Sequence, residues 1–270
     1  PTPKRNRSAS SQVIIVNNVS YVIDCGNGVA RQLVLANVKF NSIRNIFITH
    51  HHSDHNADYG NLLLLAWATD LNHRVDTYGP RPLRKMTKTF LKLNEEDIKI
   101  RTGDEGRIPL KPLIKVHDLP SCNGFVMKDE NVRVTVTLVT HPPFKTAFAY
   151  RFDTVDNRSI VISGDTAPSE NLITLAKNAD ILVHEVMHLP SIEKLIETEP
   201  NSSRLKQHLL ASHTTCEQVG KIAKAANVKT LVLSHFVPGG YPFVTDEIWL
   251  NAVRPYFPGE IIVGHDLLEL

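Results

Sequence analysis

One run of ten residues constrains this chain more than any other: Thr49-His50-His51-His52-Ser53-Asp54-His55-Asn56-Ala57-Asp58. It holds four histidines and two carboxylates. It follows Asn45-Ile46-Phe47-Ile48, short and β-branched enough to predict a buried strand. Leu62-Leu63-Leu64-Leu65-Ala66-Trp67 comes next and predicts a buried helix. Metal-binding groups on the loop leaving a strand are aimed by a rigid element and remain open to substrate. His50 and His52 alternate as strand-end residues do, so they point the same way and can chelate one ion, while His51 points away. Asp54 and His55 follow a one-residue turn, within reach of a second ion. A tag remnant would not carry Asp54 or lie between a strand and a helix.

The length of 270 residues suits one large domain or two small ones. We expect a single domain over residues 1–270, its N-terminal strand incomplete. The formal charge of +2 argues neither for nor against nucleic acid. The cluster Lys4, Arg5, Arg7 is expected to be a solvated end. No apolar run approaches the ~20 residues of a membrane span, so no membrane partner is expected. Cys25, Cys122 and Cys216 imply no disulfide framework. The chain begins at Pro1, which leaves periplasmic, secreted and cytoplasmic locations open.

Further along, strands end repeatedly in histidine or aspartate. A hairpin is predicted at Asn17-Asn18, between strands 12–16 and 20–24. Residues 132–139 alternate cleanly and run into His141; 159–163 end before Asp165; 180–185 end in His184-Glu185; 230–235 end in His235. Helices are predicted over 30–37, 83–93, 171–177, 191–197, 217–226 and 246–253. The stretch 101–123, broken by Pro109, Pro112 and Pro120, reads as strand and loop, and residues 200–203 as a polar loop. Thr214 or Thr215 is a natural N-cap.

His50-x-His52-x-Asp54-His55 resembles the HxHxDH motif of the metallo-β-lactamase superfamily of binuclear metal hydrolases. Asp24-Cys25-Gly26-Asn27-Gly28 resembles the Asp-Cys-Gly-Glu-Gly turn of its tRNase Z and arylsulfatase-like branch, with Asn27 in place of Glu. Pro3-Lys4-Arg5-Asn6 is similar to a stretch near the start of tRNase Z, without the glycine-rich strand that normally precedes it. The resemblance covers nearly the whole chain and implies an α/β (α+β) fold, an αββα sandwich. It also implies a ligand set: His50, His52 and His141 for one metal, Asp54, His55 and His235 for the other, and Asp165 bridging both. Two zinc ions are expected, with manganese, cobalt or iron as alternatives. Asp165 stands where some antibiotic-hydrolysing members carry a thiolate. Ser234-His235-Phe236 fits the branch better than Gly264-His265-Asp266, which leaves His265 a supporting or surface residue. His73, His117, His188 and His208 carry no motif and read as ordinary surface histidines.

His184-Glu185 and Ser212-His213-Thr214 resemble two further steps beside the metals in that branch. The expected catalytic residues are therefore Asp54, a ligand that also accepts a proton, and His213, which binds an anionic oxygen or protonates the leaving group. Glu185 or His184 would orient His213. Two ions ~3.5–4 Å apart would acidify a shared water and neutralise the developing charge. Asp165 follows His141 closely, without room for the long arm with which typical bacterial tRNase Z grips tRNA. The sequence thus favours a small-molecule ester, a sulfate ester or phosphodiester, over tRNA. tRNA 3′ processing and lactone or β-lactam hydrolysis are the alternatives, and a metal-free scaffold is disfavoured by a complete ligand set. A homodimer is common in the branch.

Overall fold

The structure, a computed structural model, describes residues 4, 5, 7–197, 202–241 and 243–270. They fall into two compact units, residues 8–120 and residues 4–7 with 121–270. Pro3 and Asn6 of the first quoted stretch, and Pro200 and Asn201 of the expected polar loop, lie outside the described residues.

The first unit runs β1 (Gln12–Val16), β2 (Val19–Ile23), α1 (Val29–Leu35), β3 (Ile43–Phe47), α2 (Ser53–Asn56), α3 (Tyr59–Thr69), β4 (Val75–Pro80), α4 (Leu83–Leu93), α5 (Glu95–Asp104), α6 (Leu110–Leu113) and β5 (Ile114–Leu119). Its five strands lie in chain order, an antiparallel hairpin followed by parallel neighbours. Asn17 and Asn18 both take positive φ (50° and 63°). Asparagine tolerates that conformation, and it matches the strand twist in a two-residue turn. Leu62, Leu63 and Ala66 of α3 bury against Val22, Ile46 and Ile48 of the sheet. Each such leucine contributes about 2 kcal/mol by leaving water. At Gly60 an added Cβ would sit 2.3 Å from the Phe90 ring, so glycine lets α3 and α4 pack closely.

The second unit runs β6 (Gly124–Lys128), β7 (Val132–His141), β8 (Phe144–Thr154), β9 (Ser159–Ile162), α7 (Glu170–Leu175), β10 (Ile181–Met187), α8 (Leu189–Ile196), α9 (Ser202–Ser212), α10 (Cys216–Ala225), β11 (Thr230–Val237), α11 (Asp246–Val253) and β12 (Glu260–Val263). Its seven-stranded sheet has the order β12-β11-β10-β9-β8-β7-β6. β6 to β9 pair antiparallel and β9 to β12 parallel. Thr215 and Gln218 close a capping box on α10. That helix buries Val219, Ile222 and Ala223 against Leu182 and Leu231.

Three expectations are corrected. α5 is helical where residues from 101 on read as strand and loop. Its first turn is acidic (Glu95, Glu96, Asp97), and Arg101 bonds Asp97 and Glu105 one turn to either side. Local pairing there supplies what the weak apolar periodicity does not. α9 begins at Ser202, where a loop was expected. Arg7 is not a solvated end: its guanidinium donates to the Gly264 carbonyl at 2.6 Å and lies 4.2 Å over the Phe236 ring.

Asp180 joins three strand starts of the second unit. Its Oδ2 accepts from the Ser159 amide (2.7 Å) and hydroxyl (2.8 Å), and its Oδ1 accepts from Lys229 Nζ (2.6 Å). The Lys229 bond, then those from Ser159, pull its pKa down to about 2 from 3.8. A depressed carboxylate stabilises fully above its unfolded pKa and loses that contribution as pH falls through the folded value. Asp180→Asn is expected to cost about 1 kcal/mol at pH 7 in urea unfolding. The gap to the parent should narrow as pH drops below 3.8.

Candidate metal centre

In the first unit β3 delivers the histidine run, and a buried carboxylate at the end of β2 organises it. Asp24 is 1% exposed and adopts φ 60°. Its Oδ1 accepts from the Thr49 amide at 2.8 Å. Its Oδ2 accepts from the Thr49 hydroxyl at 2.8 Å and meets His55 Nδ1 at 2.7 Å. A carboxylate only accepts, so His55 carries its proton on Nδ1 and keeps its Nε2 lone pair for a ligand role. The Thr49 hydroxyl has spent its one proton on Asp24. It therefore accepts from His50 Nδ1, 3.0 Å away, which leaves the His50 Nε2 lone pair as well.

His50 Nε2 lies 3.0 Å from His52 Nδ1, and the His50 and His55 ring centres are 4.2 Å apart. Two nitrogens on one tetrahedral ion sit at ~3.3 Å, so the pair is near the spacing of shared ligands. His51 faces away, as its strand parity requires. Its Nε2 donates to the Pro80 carbonyl (2.8 Å), so its Nδ1 accepts from the Asn56 amide group (3.0 Å). Asp54 lies half-buried in the first turn of α2. Its carbonyl would be 2.3 Å from a Cβ placed on Gly26, so only glycine lets the turn after Asp24 approach this loop. Asp58 bonds the Gly28 amide (2.7 Å) and Asn27 Nδ2 (3.3 Å), tying the same turn to the loop's far end.

In the second unit four strand ends supply polar groups. His141 closes β7, and its Nδ1 donates to the Ser212 carbonyl at 2.8 Å, which directs Nε2 toward Asp165 Oδ2, 3.9 Å away. His235 Nε2 lies 3.3 Å from the same oxygen. His213 joins them: one donor atom each of Asp165, His213 and His235 fall within 4.8 Å of one another. The His213 and His235 rings stack with 15° between their planes. Glu185 Oε1 meets His213 Nδ1 at 3.0 Å and accepts from the Thr166 amide at 2.9 Å. Burial pushes the Glu185 carboxyl upward in pKa, and the neighbouring His213 opposes that shift.

His184 alternates to the other side of β10. Its Nδ1 donates to the Glu185 carbonyl at 2.6 Å, and burial holds its pKa down at about 4. Glu185, rather than His184, is thus the partner of His213. His265 is exposed and bonds the Asp266 carbonyl. His73, His117, His188 and His208 have local partners in Asn41, Asp76, Ser191 and Ser212. Sequence reasoning placed Asp24 at the end of a strand and in the turn that follows, and gave it no role. A carboxylate one strand away from a histidine run was the signal available.

Over 99% of the chain, human short-form tRNase Z has a TM-score of 0.70 at 22% identity, with 94% of that chain covered. YhfI of Bacillus subtilis, a metallo-β-lactamase fold protein, gives 0.68 at 20% identity, with coverage of 98% and 92%. A diphosphatase of the PhnP family gives 0.63 at 16%, with 100% and 86% covered. Ribonuclease Z of Mycobacterium bovis is 30% identical over 272 residues, 99% of this chain and 93% of that relative. Fold and relatives define the class: a metal-dependent hydrolase of the metallo-β-lactamase superfamily, tRNase Z branch. Within it the chain belongs to the family described as Anti-Pycsar protein Apyc1, whose sequence profile matches residues 4–232.

The sulfate-ester preference gains no support from these relatives. The argument from a missing arm also weakens. A 272-residue alignment spanning 93% of the mycobacterial protein leaves no room for a long extra segment there either.

Asp24 fixes the protonation of His50 and His55 without touching an ion, so its charge is testable apart from the ligands. Asp24→Asn is expected to weaken zinc binding ~10–100-fold. Competition with a chromophoric chelator would measure this, and unchanged affinity would remove Asp24 from the centre.

Proposed function

We propose that this chain hydrolyses a nucleotide phosphodiester with two metal ions. His50, His52 and His141 would hold one, Asp54, His55 and His235 the other, and Asp165 both. Nitrogen and oxygen donors without a thiolate suit zinc, and also manganese, cobalt or iron. The observation that carries the proposal is the way hydrogen bonds prepare the ligands: Asp24, Thr49 and the Ser212 carbonyl each take a ring Nδ1–H and leave Nε2 for the ion. When bound, such a pair neutralises phosphate charge and provides a nucleophilic oxygen from water near neutral pH.

The residues of the chain divide the remaining work. Glu185 holds His213 by Nδ1, which presents Nε2 to a phosphate oxygen or to the leaving group. Beside Asp165 and His235, that nitrogen would protonate the leaving oxygen. Asp54 is retained as a ligand that can accept one. His184, neutral and committed to a carbonyl, shapes the strand end and moves no proton.

RNA 3′ processing is the leading substrate reading, because the curated relatives that match over nearly their full length are named Ribonuclease Z. A small phosphodiester is the second. The short connection from His141 to Asp165, made of β8, β9 and their turns, is compatible with it.

The metal-loaded protein would be assayed on 3′-extended pre-tRNA, cyclic nucleotides, bis(p-nitrophenyl) phosphate and p-nitrophenyl sulfate, with Asp165→Ala as the blank. Turnover of a diester, absent in the blank, is the expected result. Turnover of the sulfate alone would overturn the proposal. His213→Ala should lose ~10²–10⁴-fold in kcat on a diester with an alkoxide leaving group. It should lose far less on bis(p-nitrophenyl) phosphate, whose leaving group needs no proton. Equal losses on both would deny His213 the proton-donor role.

A further inference from the structure

β11 runs past its neighbour β12. β12 pairs with Thr230 to Leu233 and ends at Val263, whereas β11 continues through Ser234-His235-Phe236-Val237 beside β10. A bulge falls in that extension: Glu185 pairs with Ser234 and Val186 with Phe236, so His235 is the extra residue. It takes φ 41°, in the left-handed region that is uncommon outside glycine. A bulge re-aims a side chain, and this one brings His235 Nε2 to 3.3 Å from Asp165 Oδ2. A backbone in so sparsely populated a conformation persists only where its surroundings over-determine it.

The groups that hold the extension come from three places. On the β10 side Met187 pairs with Val237, and the Val237 carbonyl accepts from the His188 amide at 2.8 Å. From α11 the buried Trp249 sets its ring 4.9 Å from that of Phe236. Arg7 supplies the third. Its guanidinium carbon lies 4.2 Å from the Phe236 ring centre, and its Nη1 donates to the Gly264 carbonyl at 2.6 Å. The Gly264 amide in turn donates to the Leu233 carbonyl at 2.8 Å, where β12 leaves β11. Arg7 therefore links the end of β12 to the ring that follows His235. Its Nη2 is also 3.7 Å from Asp246 Oδ1, but that carboxylate is 68% exposed and such a pair holds little. All of these residues belong to the second unit.

We infer that Arg7 is a positioning residue for His235: by clamping Phe236 and the Gly264 turn it holds the bulge that aims His235 at the metal centre. This rests on the ligand assignment in the proposed function. Arginine suits the task because its planar guanidinium covers a ring face and donates in its own plane at once, which a lysine ammonium does not.

The test reads metal binding rather than turnover. The metal-free parent, His235→Ala, Arg7→Ala, Arg7→Lys and the double variant Arg7→Ala/His235→Ala would each be titrated with zinc against a chromophoric chelator. His235→Ala identifies which of the two binding steps depends on that ligand. Arg7→Ala is expected to weaken the same step ~10–100-fold and to leave the other unchanged. Arg7→Lys, the milder change, should recover part of the loss, since lysine can reach the Gly264 carbonyl without covering the ring. In the double variant the loss of Arg7 should add nothing to that of His235, because it acts only through this ligand. An unchanged step in Arg7→Ala would overturn the inference. So would an equal loss from both steps in either Arg7 variant, the mark of general loosening, or a full further loss in the double variant. These results would leave the ligand assignment standing. A parent whose binding ignores His235→Ala would overturn the assignment and the inference together.

Discussion

In the first unit, metal-ligand chemistry depends on one carboxylate that cannot donate. Asp24 is buried, and three groups converge on its two oxygens: the Thr49 amide, the Thr49 hydroxyl and His55 Nδ1. A buried anion without such partners would be costly to keep charged. With them it stays an acceptor, and the protons around it can lie in only one arrangement. That arrangement reaches His50 through a hydroxyl. The same residue ends β2, and the main chain after it bonds the metal loop, Cys25 amide to His55 carbonyl at 2.6 Å and Asp58 amide to Cys25 carbonyl at 3.0 Å. One residue thus sets both where the histidines stand and which nitrogen each presents.

The second unit reaches the same end with different parts. His141 leans on a main-chain carbonyl at Ser212, and His213 on the carboxylate of Glu185. Both supports are stitched to the Asp165 loop. Glu185 takes the Thr166 amide, Thr214 donates to the Thr166 carbonyl at 2.6 Å, and the Ala167 amide bonds Thr140 at 2.7 Å. β10, the loop after β9 and the start of α10 are therefore fixed by the groups that orient the functional rings. Displacing one ring requires breaking bonds that hold three elements, so precision here comes from sharing partners rather than from any single strong contact.

What the sequence made legible follows from this construction. Strand ends are short-range features, and an apolar alternating run that stops at histidine or aspartate announces both the element and the ligand. His50, His52, His141, Asp165 and His235 were readable that way. The hairpin at Asn17-Asn18 was readable because two positive φ values need such residues. Asp24 was not, because its role comes from pairing β2 with β3 in parallel, a contact no local pattern states. The choice of Glu185 over His184 needed strand parity at a position where the ladder shifts register. α5 was missed because its stability lies in Arg101 and its two acidic partners rather than in an apolar stripe.

Charge shows the same division between totals and placement. A formal +2 over 270 residues says nothing of partners. Some cations on the described surface, Arg101, Lys221 and Lys229 among them, are paired with a carboxylate close by, and such pairs contribute little field beyond a few ångströms. A catalytic centre for a small diester needs charge only where the phosphate sits.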